Sequence, residues 1–394
     1  MTTLRYLTAG ESHGPTLTAI LEGIPAGLPL TSADLDGDLA RRQTGYGSGG
    51  RMQIERDHAR ITSGVANGFT TGAPLALTVE NRDYKNWREK DIEPITVPRP
   101  GHADLTGAVK YGYMELRIAL ERASARETTM RVAVGGVCRK FLAQFGVVIG
   151  GYVTQIGDVT SHIADEMDYL SRFEAGEASD VRCPDSAAAG QMHEAIRQCK
   201  IDKDTLGGVM EIVALNVPPG LGSHVHWDRR LDGRIVGAMV SIHAMKGAEI
   251  GEGFALAAKR GTQAHDAIGR DAAGNIIRHS NRAGGFEGGI TTGEPIVVRV
   301  AMKPIATVLA GFDSVDLATG QPAPTVYERS DFCALPRAVP IGEAMLTYVL
   351  ADALIEKLGG DSIKEMMPRF ESLRRNHVDD LPMDNAVWRF NYGE

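Results

Sequence analysis

The sequence predicts an α+β fold: a pseudo-symmetric β-α-β sandwich in which long helices pack between two antiparallel sheets and glycine-rich loops shape a site. Three observations lead there. Short apolar segments bounded by Gly and Pro read as strands. Two long segments carry helical periodicity, with Met130, Val134, Val137, Phe141 and Phe145 on one face and Leu346, Leu350, Leu354 and Leu358 on another. Finally, GVANGFTTGAPLALTV (64–79) echoes GFEGGITTGEPIVVRV (285–300). Each copy is followed by an Arg-Ala dipeptide, Arg122-Ala123 or Arg337-Ala338, and then by one of the long helices. A repeated strand–strand–helix unit, about 61–146 and 282–360, points to one domain spanning 1–394.

The elements follow in order. LRYLTA (4–9) is a strand entering the turn GESHG (10–14), and TLTAILEGIPAGL (16–28) supplies the next strand. Thr31 and Asp34 form a capping-box start, and Leu35 and Leu39 give a short helix that ends near Arg41 and Arg42. RMQIERDHARITSGVANG (51–68) and TTGAPLALTVEN (70–81) are strands joined by a turn. The first long helix follows Arg122 and closes at Gly146. Residues 151–200 are polar and irregular and read as an elaboration on one edge. The last helix starts near Pro340 and closes at Gly359-Gly360.

With 43% hydrophobic and 23% charged residues the chain can build a large core. Its net charge of −8 excludes a general nucleic-acid or membrane-surface binder, which needs a broad positive field. No apolar run approaches the ~20 residues that span a bilayer. None of Cys138, Cys183, Cys199 and Cys333 forms a C-x-x-C pair, and the start MTTLRYLTAG carries no basic-then-apolar signal, so reduced thiols in the cytoplasm are expected.

GESHG matches the G-x-S-x-G serine elbow, which requires a helix after the serine. GPTLTAILEGIPAG is a poor helix, so a serine hydrolase using Ser12 is disfavoured. TGYGSGG (44–50) matches G-x-G-x-x-G, but with a helix before and a strand-like segment after it, the reverse of the dinucleotide fingerprint. RPGHADLTG (99–107) places His102 two residues from Asp104, and His13 and His102 each sit in a glycine-bearing turn, as an acid or base near neutral pH would. ERASARET (121–128) gathers Arg122, Ser124 and Arg126 at a helix start, where free N–H groups favour an anion. MKPIAT (302–307) and ERSDFCALPRAVP (328–340) add Lys303, Thr307, Arg329, Asp331 and Arg337. With Arg42, Arg51 and Arg99, these cations predict a small polyanion bearing several phosphates or carboxylates. His224 and His226 lack a third ligand, so no metal is expected.

GESHG, RRQTGYGSGGRM, RPGHADLTGAVKYG, ERASARETTMRVAVGG, SIHAMKGAEIG, SNRAGGFEGGITTGEP, MKPIAT and RSDFCALPRAVPIGEAM, in this order, resemble the chorismate synthase family from the first ten residues to about residue 360. The resemblance implies an anti-1,4-elimination that turns 5-enolpyruvylshikimate 3-phosphate into chorismate and phosphate, with reduced FMN and no net oxidation. It also implies a homotetramer. By position, His13 would protonate the leaving phosphate, His102 would sit near flavin N1, and Asp331 would assist at N5. Arg122, Ala123, Ser124, His243, Ala244, Gly288, Lys303, Pro304, Ile305, Ala306, Thr307 and Arg329 match flavin-contacting positions. Ser12, Arg42, Ser48, Arg51, Arg126 and Arg337 are expected to meet substrate or NADPH. Ser48 falls where many relatives have arginine, a departure that weakens the case for NADPH binding and for full substrate affinity unless Arg51 compensates. An NADPH-dependent flavin reductase is the alternative activity, and a non-enzymatic polyanion binder is a further one.

Overall fold

The computed structural model describes residues 4–48, 55–328, 331–390 and 392. The first sheet has antiparallel order β1-β2-β4-β3, built from β1 (Arg5–Ala9), β2 (Thr16–Glu22), β3 (Arg60–Ser63) and β4 (Leu75–Glu80). Alternation sets its inner face: Leu17, Ala19 and Leu21 of β2 and Leu75, Leu77 and Val79 of β4 are buried. The second sheet has antiparallel order β8-β9-β7-β5-β6. Its strands are β5 (Val148–Ile156), β6 (Val159–Thr160), β7 (Gly208–Leu215), β8 (Met245–Ile250) and β9 (Ile296–Met302).

Between the sheets lie α4 (Thr128–Ala143), packed against the first sheet, α7 (Leu231–Val240) and α8 (Leu335–Leu358), packed against the second, and α1 (Ala33–Gln43), packed on α4 and α8; the short helices α2 (Asp104–Tyr111) and α3 (Arg117–Ala123) precede α4. One buried apolar cluster runs through both sheets and the four helices between them. Helices α4 and α8 touch so closely that a Cβ on Gly135 would lie 2.3 Å from the Ala344 Cβ. Only a residue without a side chain fits there. Among the described residues α8 is the one helix long and apolar enough to cross a membrane, and its apolar stretch is almost wholly buried in this core.

The halves correspond strand for strand: β1, β2, β3 and β4 answer to β5, β7, β8 and β9, α1 to α7, and α4 to α8. The two TTG-x-P segments make the same bonds. Thr70 Oγ1 donates to the Pro25 carbonyl at 2.6 Å and accepts from the Leu28 N–H at 2.9 Å. Thr291 Oγ1 donates to the Pro218 carbonyl at 2.7 Å and accepts from the Leu221 N–H at 2.8 Å.

Three expectations need correction. Residues 151–156, expected within the edge elaboration 151–200, belong instead to β5, where Tyr152 and Val153 are fully buried. The elaboration is confined to the helices α5 (Tyr169–Ala178) and α6 (Ser186–Ile201), inserted between β5 and β7. Helix α8 starts at Leu335, five residues before Pro340, because Pro336 occupies its first turn and Pro340 costs one hydrogen bond near that end. No strand occupies 55–59; β3 begins at Arg60, and residues 51–54 lie outside the described residues.

Candidate active site

A cavity of about 420 Å³ opens where the β1–β2 turn, the end of α1, and the starts of α4 and α8 converge with the ends of α7 and β9. Gly10 makes the β1–β2 turn possible. Its φ is +111°, and a Cβ there would stand 2.5 Å from the Thr16 carbonyl oxygen. The chain passes straight on into β2, so the elbow helix required of a nucleophilic serine is not formed. Ser12 is buried, and its Oγ accepts a hydrogen bond from Ser124 Oγ at 3.1 Å.

Both expected histidines line the cavity, and each is held by a carboxylate. His13 Nδ1 is 2.7 Å from Glu121 Oε1, its backbone N–H donates to Glu121 Oε2 at 2.7 Å, and its ring lies 4.0 Å from the Trp87 ring. His102 Nδ1 is 2.6 Å from Asp104 Oδ1. The fully buried Asp104 also accepts from Arg99 Nε at 2.8 Å and Nη2 at 3.1 Å, while Arg99 Nη1 donates to Thr307 Oγ1 at 2.8 Å. Burial opposes ionisation of Asp104, but the hydrogen bonds from His102 and Arg99 win and hold its carboxyl well below the usual range.

The cations crowd along one wall. Arg126 donates from Nη1 to both Asp57 oxygens, at 2.7 and 2.9 Å, and from Nε to Asn81 at 2.8 Å. Its buried Nη2 has no hydrogen-bond partner among the described residues. Arg42 bonds Asp57, Thr128 and the Ala125 carbonyl. Burial lowers its pKa to about 9 against the pull of Asp57, with Arg337 and Arg126 adding repulsion, so it stays cationic at neutral pH. Arg337 donates to Asp331 Oδ2 at 2.5 Å and to the Arg42 carbonyl at 3.1 Å. Among the described residues Lys303 Nζ has one hydrogen-bond partner, the Pro304 carbonyl at 3.3 Å. Burial and the nearby Lys246 both weaken its hold on its proton.

Ala123, Ser124, His243, Ala244, Ile305, Ala306 and Thr307 line the same space. His243 is neutral near pH 7: burial lowers its pKa to about 4, Glu127 raises it in part, and Arg131, His102 and Arg122 lower it further. Four expected residues do not line this space: Pro304, alone in its run, and Arg122, Gly288 and Ser48. Arg122 turns away and donates from Nη2 to the Thr8 carbonyl and hydroxyl at 3.0 and 2.8 Å, lining a second opening with Tyr6, Arg131 and His243. Gly288 sits in the hairpin turn before β9, beside His224 and away from the cavity. Ser48 spends its hydroxyl on the Gly45 carbonyl at 2.7 Å. Arg51 and Arg329 lie outside the described residues. No cluster of His, Cys, Asp or Glu that could hold a metal occurs among the described residues, and His226 pairs instead with Asp228 on the surface.

Two residues in contact with His13, Trp87 in the cavity lining and Glu121 behind it, carried no sequence signal of function. Trp87 is an aromatic in a charge-rich loop, and Glu121 reads as an arginine partner on its own helix. Each reaches His13 only through the fold, since 108 residues separate His13 from Glu121.

Crowded guanidinium groups, two carboxylate-held imidazoles and a cleft closed by apolar walls define an enzyme that handles a small polyanion by acid–base chemistry. Residues 4–355 match the family model described as chorismate synthase. The chain is 53% identical over 391 residues to the chorismate synthase of Aquifex aeolicus, covering 95% of this chain and 98% of the relative. It is 51% identical over 381 residues to that of Symbiobacterium thermophilum, covering 93% and 97%. A crystal structure of chorismate synthase superposes with a TM-score of 0.77 at 47% identity, covering 93% of this chain and 96% of that one. The chain belongs to the chorismate synthase family and is a lyase of the shikimate pathway.

Proposed function

We propose that this cavity converts 5-enolpyruvylshikimate 3-phosphate into chorismate and phosphate by anti-1,4-elimination with reduced FMN. The observation that carries the reading is the meeting of His13, His102, Asp331 and five cations in one cleft. The substrate brings two carboxylates and a phosphate, and the cofactor brings another phosphate. Such charges enter a dry site only against fixed cations.

The residues present fit a flavin. Lys303 Nζ, whose one hydrogen-bond partner among the described residues is the Pro304 carbonyl, is a donor for anionic oxygens, and Met245, Met302 and Ile341 offer apolar contact for a ring. Ala123, Ser124, His243, Ala244 and the run Lys303–Thr307 would hold it. When bound, reduced FMN supplies an electron-rich ring that lends charge as C3–O breaks and takes up the hydrogen leaving C6. The chain's own part is proton handling and orientation. His13 gives a proton to the departing phosphate, His102 holds one beside the flavin, Asp331 assists nearby, and Ser12, Arg42, Arg126 and Arg337 orient the anions. The same reading takes the chain as a single domain and as a cytoplasmic homotetramer. Exposed Leu7 and Ile20 on the outer face of the first sheet supply apolar surface for subunit contact.

The test is an anaerobic incubation of enzyme, substrate and photoreduced FMN. Phosphate and chorismate should appear in equal amounts, and their absence ends the proposal. For His13→Ala, turnover collapses while FMN still binds.

A further inference from the structure

We propose that Glu121 is a positioning residue that fixes the proton of His13 on Nδ1 and leaves Nε2 as the nitrogen that meets the leaving phosphate. This rests on His13 being the acid of the proposed reaction.

Glu121 grips one residue twice. Oε1 meets His13 Nδ1 at 2.7 Å and Oε2 accepts the His13 backbone N–H at 2.7 Å. The Glu121 carbonyl also accepts the Ser12 N–H at 3.1 Å, so side chain and backbone together pin the turn. An ionised carboxylate can only accept, so Nδ1 must donate. Glu121 is ionised: burial pushes its carboxyl up, but the hydrogen bonds and charge of His13, with Arg117 behind them, hold it below the usual range.

Arg117 lies one helical turn away, its Nη1 3.9 Å from Glu121 Oε1 and its Nη2 3.8 Å from Glu328. Trp87 packs on the His13 ring at 4.0 Å, and Arg117 lies over Trp87 at 5.7 Å. The imidazole is thus held at Nδ1 by Glu121 and packed against an indole, which fix the orientation of the ring.

The consequence for the step is specific. The C3–O bond breaks with its electron pair going to the phosphate oxygen, and the proton on Nε2 moves to that oxygen. His13 becomes neutral with its remaining proton still on Nδ1, bonded to Glu121, and Nε2 is reprotonated from solvent. A free imidazole favours the other tautomer and would have to flip or exchange before acting again.

The experiment labels the histidines with ¹⁵N and reads the His13 ring in the full-length protein without flavin or substrate, assigning it by its loss in His13→Gln. Neutral His13 should show a protonated Nδ1 in the native chain, and Glu121→Gln should shift it toward the Nε2–H form. In turnover, Glu121→Gln should lower kcat roughly 10²-fold while KM and FMN affinity stay within about twofold. Glu121→Asp, which keeps the charge, should recover part of kcat. A native Nε2–H tautomer, or a Gln variant with unchanged kcat, overturns the proposal, and the native spectrum decides the matter even if the variant fails to fold. His13→Gln separates the layers. If it turns over normally, the acid assignment itself is wrong; if it is dead while Glu121→Gln is normal, only the present inference falls.

Discussion

Asp104→Asn tests how the second imidazole is built. Asp104 is fully buried and accepts four hydrogen bonds, from the Arg99 backbone N–H (3.2 Å), Nε (2.8 Å) and Nη2 (3.1 Å), and from His102 Nδ1 (2.6 Å). Asparagine keeps the shape and one acceptor but turns the other oxygen into a donor facing donors. Hydrogen bonds to charged groups contribute about 1.5–3 kcal/mol each, and breaking one side of a buried ion pair costs about 3–5 kcal/mol. Because the bonds share one carboxylate they do not add, and the surviving oxygen still serves Arg99. A loss of about 2–3 kcal/mol is therefore expected in urea unfolding at pH 7. The sign with pH is fixed. The folded-state carboxyl titrates below its unfolded value, so its stabilisation is full above about pH 4 and fades as pH falls further. The gap between native and variant should accordingly close in acid. A variant within about 0.5 kcal/mol of native at pH 7, or a gap that does not narrow in acid, would refute this account.

Three further outcomes follow from other contacts. Gly135→Val should cost at least about 1–3 kcal/mol and lower the yield of folded protein, because its Cβ alone would lie 2.6 Å from the Ala344 Cα; thermal unfolding checks it. Thr70→Val and Thr291→Val should each cost about 1–3 kcal/mol through the same two buried bonds, and the double variant should lose their sum, since they share no partner. Native stability should drop as pH falls from about 6.5 toward about 4, where the unfolded chain protonates His243 and the folded one does not. His243→Gln should flatten that part of a denaturation-versus-pH profile.

Periodicity and turn chemistry made β1, β2, β4 and α4 legible, and the TTG-x-P echo was visible because each copy closes an equivalent buried bond pair around a proline-bearing turn. What escaped was decided by partners distant in sequence. Val148–Ile156 carries two adjacent glycines and a polar end, and becomes a strand because β7 and α5 cover it. The site was legible as a set of residue types, but its electrostatics were not. Counting arginines suggested a strongly positive cleft, whereas Asp57 already holds Arg42 and Arg126, Asp104 holds Arg99, and Asp331 holds Arg337. Those pairs set guanidinium planes rigidly, with Arg126 Nη2 also 3.6 Å from Glu55, and Lys303 is left to meet new anions.

The correspondence of the two halves also explains where the site lies and why one expected residue missed it. Arg42 at the end of α1 answers to His243 just past the end of α7. The start of α4, with Ser124 and Arg126, answers to the start of α8, with Asp331 and Arg337. The cavity is thus assembled at one end of the sandwich from equivalent positions of both halves. Gly288 belongs to the hairpin that feeds the far end of β9, and the seven residues of that strand set it ~20 Å from Lys303. The symmetry fails at one place. The β1–β2 turn is six residues of glycine-punctuated loop and delivers His13, whereas its counterpart between β5 and β7 holds α5 and α6. No described residue of 157–207 lines the cavity. A duplicated scaffold therefore surrounds the cavity with paired walls, while the unpaired β1–β2 turn brings His13 to it from one half of the molecule alone.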